Sequence, residues 1–447
     1  MAEPASRGAE SLSSLGDKDA IKFVELQFTD VEGMVKNLTV PADGFDSRLE
    51  KGICFDGSSI EGYARVAESD MYLVPDRATF SMVPWRPGSE AVGRFICDVR
   101  TPDGQPYAGD PRAALLRALE EAKSLGFEYR TSPEMEFFLL KTGPGGEVGV
   151  PIPHDSAGYF DAPSDTVAQF RSELMTALAS FGIPIEAMHH EVAGGQHEID
   201  FLDAGAMAAA DNTITFRVAL KAIAQRNGLH GTFMPKPFKG ASGSGMHVHQ
   251  GLAYAATGAD AFSDPGDPHG LSMIAKHFIA GQLAHARGMC AILAPLVNSY
   301  KRLVTGYEAP VHISWARINR GALIRVPRSG GAGGTRIELR CPDPSCNPYL
   351  AFAVMLAAGL DGIRRELPPV EATEENPFSL GIKRSDASEL LPFSLEEAIR
   401  ALEEDEVVRA ALGPHIARRL IESKKIEWEE FYTDVTPWEI SKYLNNY

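Results

Sequence analysis

Hydrophobic patterning begins only at Ile21, after a small, polar stretch from Met1 to Ala20. Ile21–Phe28 is rich in Ile, Phe, Val and Leu, and Met34–Val40 follows a Glu32-Gly33 turn, a spacing that predicts a β-hairpin. Phe95–Val99 predicts another strand, completing a small β-rich region over 21–106. Asp110-Pro111 then supplies an N-cap and a proline at the first helical position. Leu115, Leu116, Leu119 and Ala122 repeat at helical spacing as far as Gly126. The domain boundary is placed near Tyr107, with a polar tail over 1–20 and a larger domain over 107–447. Within the larger domain, strand-like segments (Phe127–Tyr129, Glu134–Leu140, His189–Glu191, Glu198–Phe201, Met246–Gln250, Val311–Trp315 and Arg336–Leu339) alternate with apolar-periodic helices. The helices are expected near Ser164–Phe181, Ala204–Asn227, Leu271–Ala294 and Pro348–Arg364, followed from Ser394 by two or three amphipathic ones, clearest over Leu395–Leu412. No solenoid-length repeat and no low-complexity tract interrupts this order. The pattern predicts an α+β protein, a small β-rich cap beside a larger domain built on an antiparallel sheet with flanking helices.

Composition narrows the function by exclusion. Among 447 residues, 43 Lys and Arg face 60 Asp and Glu, a net charge of −17. That balance lacks the basic face a nucleic-acid binder needs, and it disfavours an anionic membrane surface. The longest apolar stretch, Met289–Val297, falls far short of the roughly 20 residues that span a bilayer. The N-terminal tail has no apolar core of a secretory signal. Five scattered cysteines (Cys54, Cys97, Cys290, Cys341, Cys346), odd in number and without C-x-x-C spacing, read as reduced thiols filling core or loop positions in a cytoplasmic protein.

Candidate chemistry lies in carboxylates placed within strand-like segments. Glu134 and Glu136 are two residues apart, so on a strand both point to one face. His247 with His249, and Glu338 with Arg340, repeat that spacing, while Glu191 and Glu198 flank an Ala193-Gly194-Gly195 turn. One such pair alone is most simply a solvated strand face. Four together favour a hard divalent cation, because buried like charges are costly until something neutralises them. Oxygen-rich ligands with one imidazole suit Mg²⁺ or Mn²⁺ rather than a thiolate-seeking metal.

Arginine is concentrated elsewhere. Between Lys301 and Arg340, eight basic residues (Lys301, Arg302, Arg317, Arg320, Arg325, Arg328, Arg336, Arg340) face only Glu308 and Glu338, a net of +6. Exposed rim salt bridges would explain Arg317 or Arg328, but not all seven arginines. Guanidinium groups bind phosphate and carboxylate bidentately, so a cationic strip in an acidic chain points to a small anionic substrate. Glycine-rich loops at Gly243-Ser244-Gly245 and Gly330–Gly334 allow close approach to a ligand, although neither is a Walker A loop. Metal ligands and anion-binding arginines together predict phosphoryl transfer from a nucleotide.

Seven ordered motifs then resemble one family. They are Phe55-Asp56-Gly57-Ser58-Ser59-Ile60, Glu134-Met135-Glu136-Phe137-Phe138, His189-His190-Glu191-Val192, Gly243-Ser244-Gly245-Met246-His247-Val248-His249, Asn298-Ser299-Tyr300-Lys301-Arg302-Leu303-Val304, Gly306-Tyr307-Glu308-Ala309-Pro310 and Asn347-Pro348-Tyr349-Leu350. From about Ile21 to Tyr447 the chain resembles type I glutamine synthetases. The resemblance implies a β-grasp-like N-terminal domain on a catalytic domain, and ATP-dependent ligation of ammonia to L-glutamate through γ-glutamyl phosphate. It implies two to three Mg²⁺ or Mn²⁺ per active site, one held by Glu136, Glu191 and Glu198 and another by Glu134, His247 and Glu338. Arg302 and Arg340 correspond to residues that hold glutamate, with Ser242, Gly243, Glu308 and Arg320. Arg320, Arg325 and Arg336 correspond to nucleotide and phosphoryl contacts, with Glu186, His249 and Gly251 lining the ATP site. Asp56 corresponds to the residue that takes a proton from ammonium, helped by Ser59, Tyr159, Glu191 and Glu308, the last on a closing flap. Asp56, Glu308 and Arg320 are thus the implied catalytic residues. Two stacked hexameric rings are implied, with Asp56 serving a neighbouring subunit's site.

Departures from the family pattern indicate a subtype. Ser242 stands where an asparagine usually precedes Gly-Ser-Gly, and Gly251 replaces a residue that is serine in some relatives. Phe378 occupies the position of a tyrosine that some relatives adenylylate, so that control is not expected. Arg65, in Glu61-Gly62-Tyr63-Ala64-Arg65, resembles the feedback-inhibition arginine of the α subtype, and a small nitrogen-regulatory protein is a further possible partner. Three other readings fit parts of the sequence: a ligase for an amine other than ammonia, a catalytically inactive homologue, and an added partner-binding role for the segment Trp438–Tyr447. Intact ammonium-pocket residues favour ammonia over another amine, intact metal ligands argue against an inactive homologue, and the amphipathic C-terminal segment reads as subunit packing.

Overall fold

The computed structural model describes residues 21–447 apart from 50, 59, 61–69, 144, 148, 307–308, 329–333 and 375–389. Ser59, Arg65, Glu308 and Phe378 lie outside the described residues.

The N-terminal sheet contains β1 (Phe23–Thr29), β2 (Val35–Pro41), β3 (Ile53–Asp56), β4 (Asp70–Pro75), β5 (Ser81–Met82) and β6 (Val92–Arg100). Its order is β2-β1-β6-β4-β3, with β5 on β6; β1 and β6 are parallel and the remaining pairs antiparallel. The expected hairpin is β1–β2, in register from Phe23↔Pro41 to Thr29↔Val35. Its turn needs Gly33 at a φ of +79°, and a Cβ there would fall 2.9 Å from the Cα of Asn347. The hairpin tip is therefore seated on the larger domain, where Asn347 Nδ2 donates to the carbonyl of Asp30 at 3.1 Å.

The larger domain begins with α1 (Pro111–Ser124), capped as expected by Asp110, whose carboxylate accepts from the Arg112 N–H. Its sheet contains β7 (Phe127–Lys141), β8 (Ile185–His190), β9 (Gln196–Phe201), β10 (Ala204–Gly205), β11 (Leu229–Thr232), β12 (Met246–Tyr254), β13 (His312–Ala316), β14 (Ala322–Arg325) and β15 (Ile337–Leu339). The order is β13-β14-β15-β12-β7-β9-β8, with β10 and β11 also on β7. It is antiparallel apart from β13 and β14, which run parallel. The helices are α2 (Asp165–Ser180), α3 (Ala206–Arg226), α4 (Met273–Ala284), α5 (Ala286–Leu293), α6 (Pro348–Arg364), α7 (Leu395–Glu404), α8 (Glu406–Leu412), α9 (Pro414–Thr433) and α10 (Pro437–Tyr443). No helix among the described residues is long and apolar enough to cross a membrane.

Three sequence expectations change, the first being that the segment from Ser394 holds four helices rather than two or three, Leu395–Leu412 itself parting into α7 and α8 at Asp405. The segments Phe127–Tyr129 and Glu134–Leu140 are one 15-residue strand that runs straight through Pro133. A proline costs a central strand one ladder donor. Here the carbonyl of Phe201, which faces residue 133, accepts instead from the hydroxyl of Ser132. The expected helix over Leu271–Ala294 is two helices, α4 and α5, broken at His285.

Strand parity separates the core from the charged face. Met135, Phe137 and Leu139 on β7, Ile199 and Phe201 on β9, Met246 and Val248 on β12, and Ile337 and Leu339 on β15 all enter the main hydrophobic core. The intervening residues Glu134, Glu136, Glu198, Asp200, His247 and Glu338 carry the charges, while Phe138 and Leu140 further along β7 form a small apolar cluster of their own. Because side chains alternate with a period of two, one sheet builds an apolar back and a polar front.

Candidate active site

Cross-strand register gathers the front residues into rows. Glu134 pairs with Asp200 on one side and His247 on the other, Glu136 pairs with Glu198, and Glu198 with His189. His249 pairs with Glu338, and Glu338 with Arg325. Strand partners share a face, so residues separated by up to 200 positions converge without help from loops. All of these but His249 and Glu338 line a cavity of about 690 Å³, which Tyr159, Glu191, Ser242, Gly243, Arg302, Arg320 and Arg340 also line. Glu338 closes this face from below, fully buried against Arg325 at 2.5 Å and against Arg340.

Six expected residues do not line the cavity: Glu338 below it, and Glu186, His249, Gly251, Arg336 and Asp56. Glu186 lies exposed where the β8–β9 register breaks between Ile185 and Ala187. His249 turns its Nε2 onto Glu134 Oε1 at 2.6 Å and supports that carboxylate. Gly251 and Arg336, each two residues from His249 and Glu338 in sequence, are not among the lining residues. Asp56 is exposed on the edge strand β3 of the N-terminal sheet, outside its own chain's cavity. Its carboxylate accepts from the Ser58 hydroxyl at 2.7 Å and the Ser58 N–H at 2.9 Å, which hold its pKa below the usual value.

The electrostatics show why cations fit. Burial, reinforced by Glu191, pushes Glu136 up to about 7. Burial together with Glu136, Glu134, Asp200 and Glu191 pushes Glu198 up to about 12. Burial would also raise Glu134, but hydrogen bonds from His247 and His249 hold it well below the usual carboxylate range. Burial likewise opposes ionisation of Glu338, and Arg340, His247 and His249 outweigh it. The acids thus divide into a set paid in full by cationic neighbours and a set left in mutual repulsion. Ligand atoms of Glu134, His247 and Glu338 lie within 4.8 Å of one another, as do those of His189, Glu198 and Asp200. Divalent cations suit both places, since carboxylate oxygens with one imidazole form a hard donor set. The sequence reading missed Asp200 and His189. Asp200 carries the same two-residue spacing from Glu198 that flagged the other pairs, and this was its available signal.

Arg302 is only 3% exposed, and its Nη atoms donate to the carbonyls of Arg340, Cys341 and Pro342 at 2.9 to 3.1 Å. Three of five guanidinium donors are therefore fixed, which locks the group at the cavity wall. Gln196 Nε2 donates both to Glu136 Oε2 at 2.9 Å and to the carbonyl of Gly243 at 3.1 Å, tying the two sides of the cavity together.

Comparison with known proteins agrees with this arrangement. Residues 20–102 match the glutamine synthetase β-grasp domain, and residues 108–443 match the glutamine synthetase catalytic domain. The chain belongs to the glutamine synthetase family. It is 48% identical to the glutamine synthetase of Thermotoga maritima over 97% of this chain and 99% of that one. It is 49% identical to the enzyme of Thermus thermophilus over 98% and 99% of the two chains. Among solved structures, a GmaS–ADP complex superposes with a TM-score of 0.86 at 34% identity, covering 97% of this chain and 99% of that one. Plasmodium falciparum glutamine synthetase, at 23% identity, also gives 0.86 over 96% of each chain and shares the fold. The chain is a ligase that makes L-glutamine from L-glutamate and ammonia with ATP, and its family uses divalent metal ions. The β-grasp and catalytic domains are the two bodies described above.

Proposed function

We propose that the charged face of the sheet divides into two metal positions, Glu136, Glu191 and Glu198 holding one ion and Glu134, His247 and Glu338 the other, with Mg²⁺ or Mn²⁺ bound and two to three ions per site. The observation that carries this reading is the single cavity in which both carboxylate groups meet the arginines. Bound divalent ions would neutralise the crowded carboxylates and polarise phosphoryl oxygens.

The chain's own residues do the rest. Arg302, Arg340, Ser242 and Gly243 seat the carboxylates of glutamate at the wall. Arg320, Arg325 and Arg336, with Glu186, His249 and Gly251 towards the rim, spread the charge of the nucleotide phosphates and the transferred phosphoryl group. The γ-carboxylate of glutamate attacks the terminal phosphorus of ATP, ADP leaves, and γ-glutamyl phosphate forms, from which ammonia later displaces phosphate. Asp56 and Ser59 of a neighbouring subunit, with Tyr159, Glu191 and Glu308, bind ammonium by its charge and take its proton before nitrogen attack. Closure by the Glu308 segment excludes water from the acyl phosphate. The exposed position of Asp56 on an edge strand supports a site completed between subunits, as in a dodecamer of two hexameric rings.

Phe378 in place of an adenylylated tyrosine, together with Arg65, supports direct feedback inhibition by glutamine, with Arg65→Ala relieving it. A small nitrogen-regulatory protein is a compatible partner. Reduced, mostly buried cysteines support a cytoplasmic setting, and the domain junction is placed between 106 and 107. Phosphate release with glutamate and ATP, comparing ammonium with a panel of alkylamines, tests the substrate. Ammonium is expected to be preferred, and turnover with an amine alone would overturn the reading.

A further inference from the structure

Behind the sheet, at its β8 edge, a cluster of polar side chains sits where parity would place core. His190 and His197 are paired across β8 and β9, at 1% and 0% exposure, with His197 stacked on Phe137. Both face away from the catalytic cavity. A strap, residues 153–161, wraps round the β8–β9 turn from this back side to the front, where Tyr159 and Phe160 line the cavity. Asp155 Oδ1 accepts from the N–H of Gly195 at 2.8 Å and lies 3.2 Å from His190 Nε2. His190 Nδ1 lies 2.7 Å from the carbonyl of Glu191. The N–H of Phe160 donates to the carbonyl of His190 at 3.1 Å, holding Phe160 at a φ of +62°, which few non-glycine residues adopt. Contact is close enough that a Cβ on Gly194 would stand 2.9 Å from the carbonyl oxygen of Asp155.

We propose that Asp155 and His190 are positioning residues: through the strap they fix the turn that carries Glu191 and Glu198, and so set the affinity of that metal position without touching the metal. Groups that hold a metal ligand without touching the metal are worth about 10–100-fold in metal affinity or activity. The same imidazoles do not form a metal site of their own. Arg171 Nη2 donates to His197 Nδ1 at 3.1 Å, which leaves the His197 Nε2 proton pointing at His154 Nε2 at 2.9 Å. The lone pair that a metal would need on His197 is thereby used.

The inference rests on the metal reading of Glu191 and Glu198, and Mn²⁺ titration of the full-length protein, followed by electron paramagnetic resonance, separates the two. Asp155→Ala is expected to weaken one class of Mn²⁺ site about 10–100-fold and leave the Glu134–His247–Glu338 class unchanged. Asp155→Asn is expected to restore binding, because its amide oxygen can still accept from the Gly195 N–H as Asp155 Oδ1 does. Should Glu191→Gln leave both classes intact, the metal reading fails. If Glu191→Gln weakens one class and Asp155→Ala weakens neither, the positioning role is overturned, whatever happens to the melting temperature. Zn²⁺ binding that is lost in His154→Ala while Mn²⁺ binding persists would also overturn it.

Discussion

Gly245 lies between two groups that leave no room for a side chain. A Cβ there would stand 2.5 Å from Arg302 Nη2 and 3.0 Å from His247 Nε2. Its N–H also donates to Glu136 Oε2 at 3.0 Å, and its carbonyl accepts from the Glu136 N–H. Gly245→Ala must therefore displace the Arg302 guanidinium, the His247 imidazole or both. A misplacement on the order of 1 Å costs about 100-fold in rate, so kcat/KM should fall by roughly that factor in steady-state assays while the melting temperature changes little. Unaltered kinetics would show that the close approach has no catalytic meaning. Glu198 gives the opposite balance. Its carboxyl is held up at about 12 by burial and four acidic neighbours. Glu198→Gln is expected to stabilise the chelator-treated protein by about 1–3 kcal/mol, a usual single-site magnitude, and to weaken Mn²⁺ binding. Thermal melts with and without Mn²⁺ check both halves. Spacing made Glu134, Glu136, His247 and Glu338 legible, because i and i+2 share a strand face. Gln196 and the back-side His197 were not legible, since their partners are set by cross-strand register rather than by neighbours in sequence.

At the scale of elements, most segments were readable and most breaks were not. Apolar periodicity runs unbroken from Leu271 to Ala294, yet the chain bends at His285. The cause is tertiary: His285 Nδ1 lies 2.8 Å from Asp405, at the break between α7 and α8, and its Nε2 3.1 Å from Asp361 on α6. Gly288, where a Cβ would come 2.5 Å from Asp405, lets that carboxylate reach α5. Burial alone would lower the pKa of His285, but the hydrogen bonds to Asp405 and Asp361 outweigh it and raise the value. A raised folded pKa means stabilisation that is complete below the unfolded value of about 6.5 and is lost as pH rises through the folded one. His285→Gln should therefore melt several degrees below the parent protein at pH 6, with the gap narrowing at pH 9. A gap that stays constant across that range would refute a charged His285. β7 teaches the same lesson, for nothing in the sequence near Pro133 announces that Ser132 will take over the missing donor.

For the whole molecule, net charge concealed an internal division. An arginine-rich segment of +6 lies within a chain of −17, and the fold directs that segment at the one face where acids crowd. The two domains are joined by charge as well. Arg112 at the start of α1 pairs with Asp98 and, at 2.5 Å, with Asp76 of the N-terminal sheet. It also pairs at 3.2 Å with Asp211 of α3, which accepts from the Tyr349 hydroxyl at 2.7 Å. Truncating one member of a buried ion cluster strands the others, so Arg112→Leu should cost roughly 3–5 kcal/mol, read as a lowered melting temperature. That domain placement matters because it fixes where β3 presents Asp56, exposed and away from its own chain's cavity. If each site joins one subunit's Asp56 to the next subunit's carboxylate face, two inactive variants must complement. Asp56→Ala and Glu134→Gln homo-oligomers should each lose nearly all activity. After dissociation and reassembly as an equal mixture, a head-to-tail ring places intact Asp56 against an intact metal face at about one interface in four, so about a quarter of the parent activity should return. Mixtures that stay inactive, although native mass spectrometry with one variant isotopically labelled shows mixed rings, would mean that each chain completes its own site.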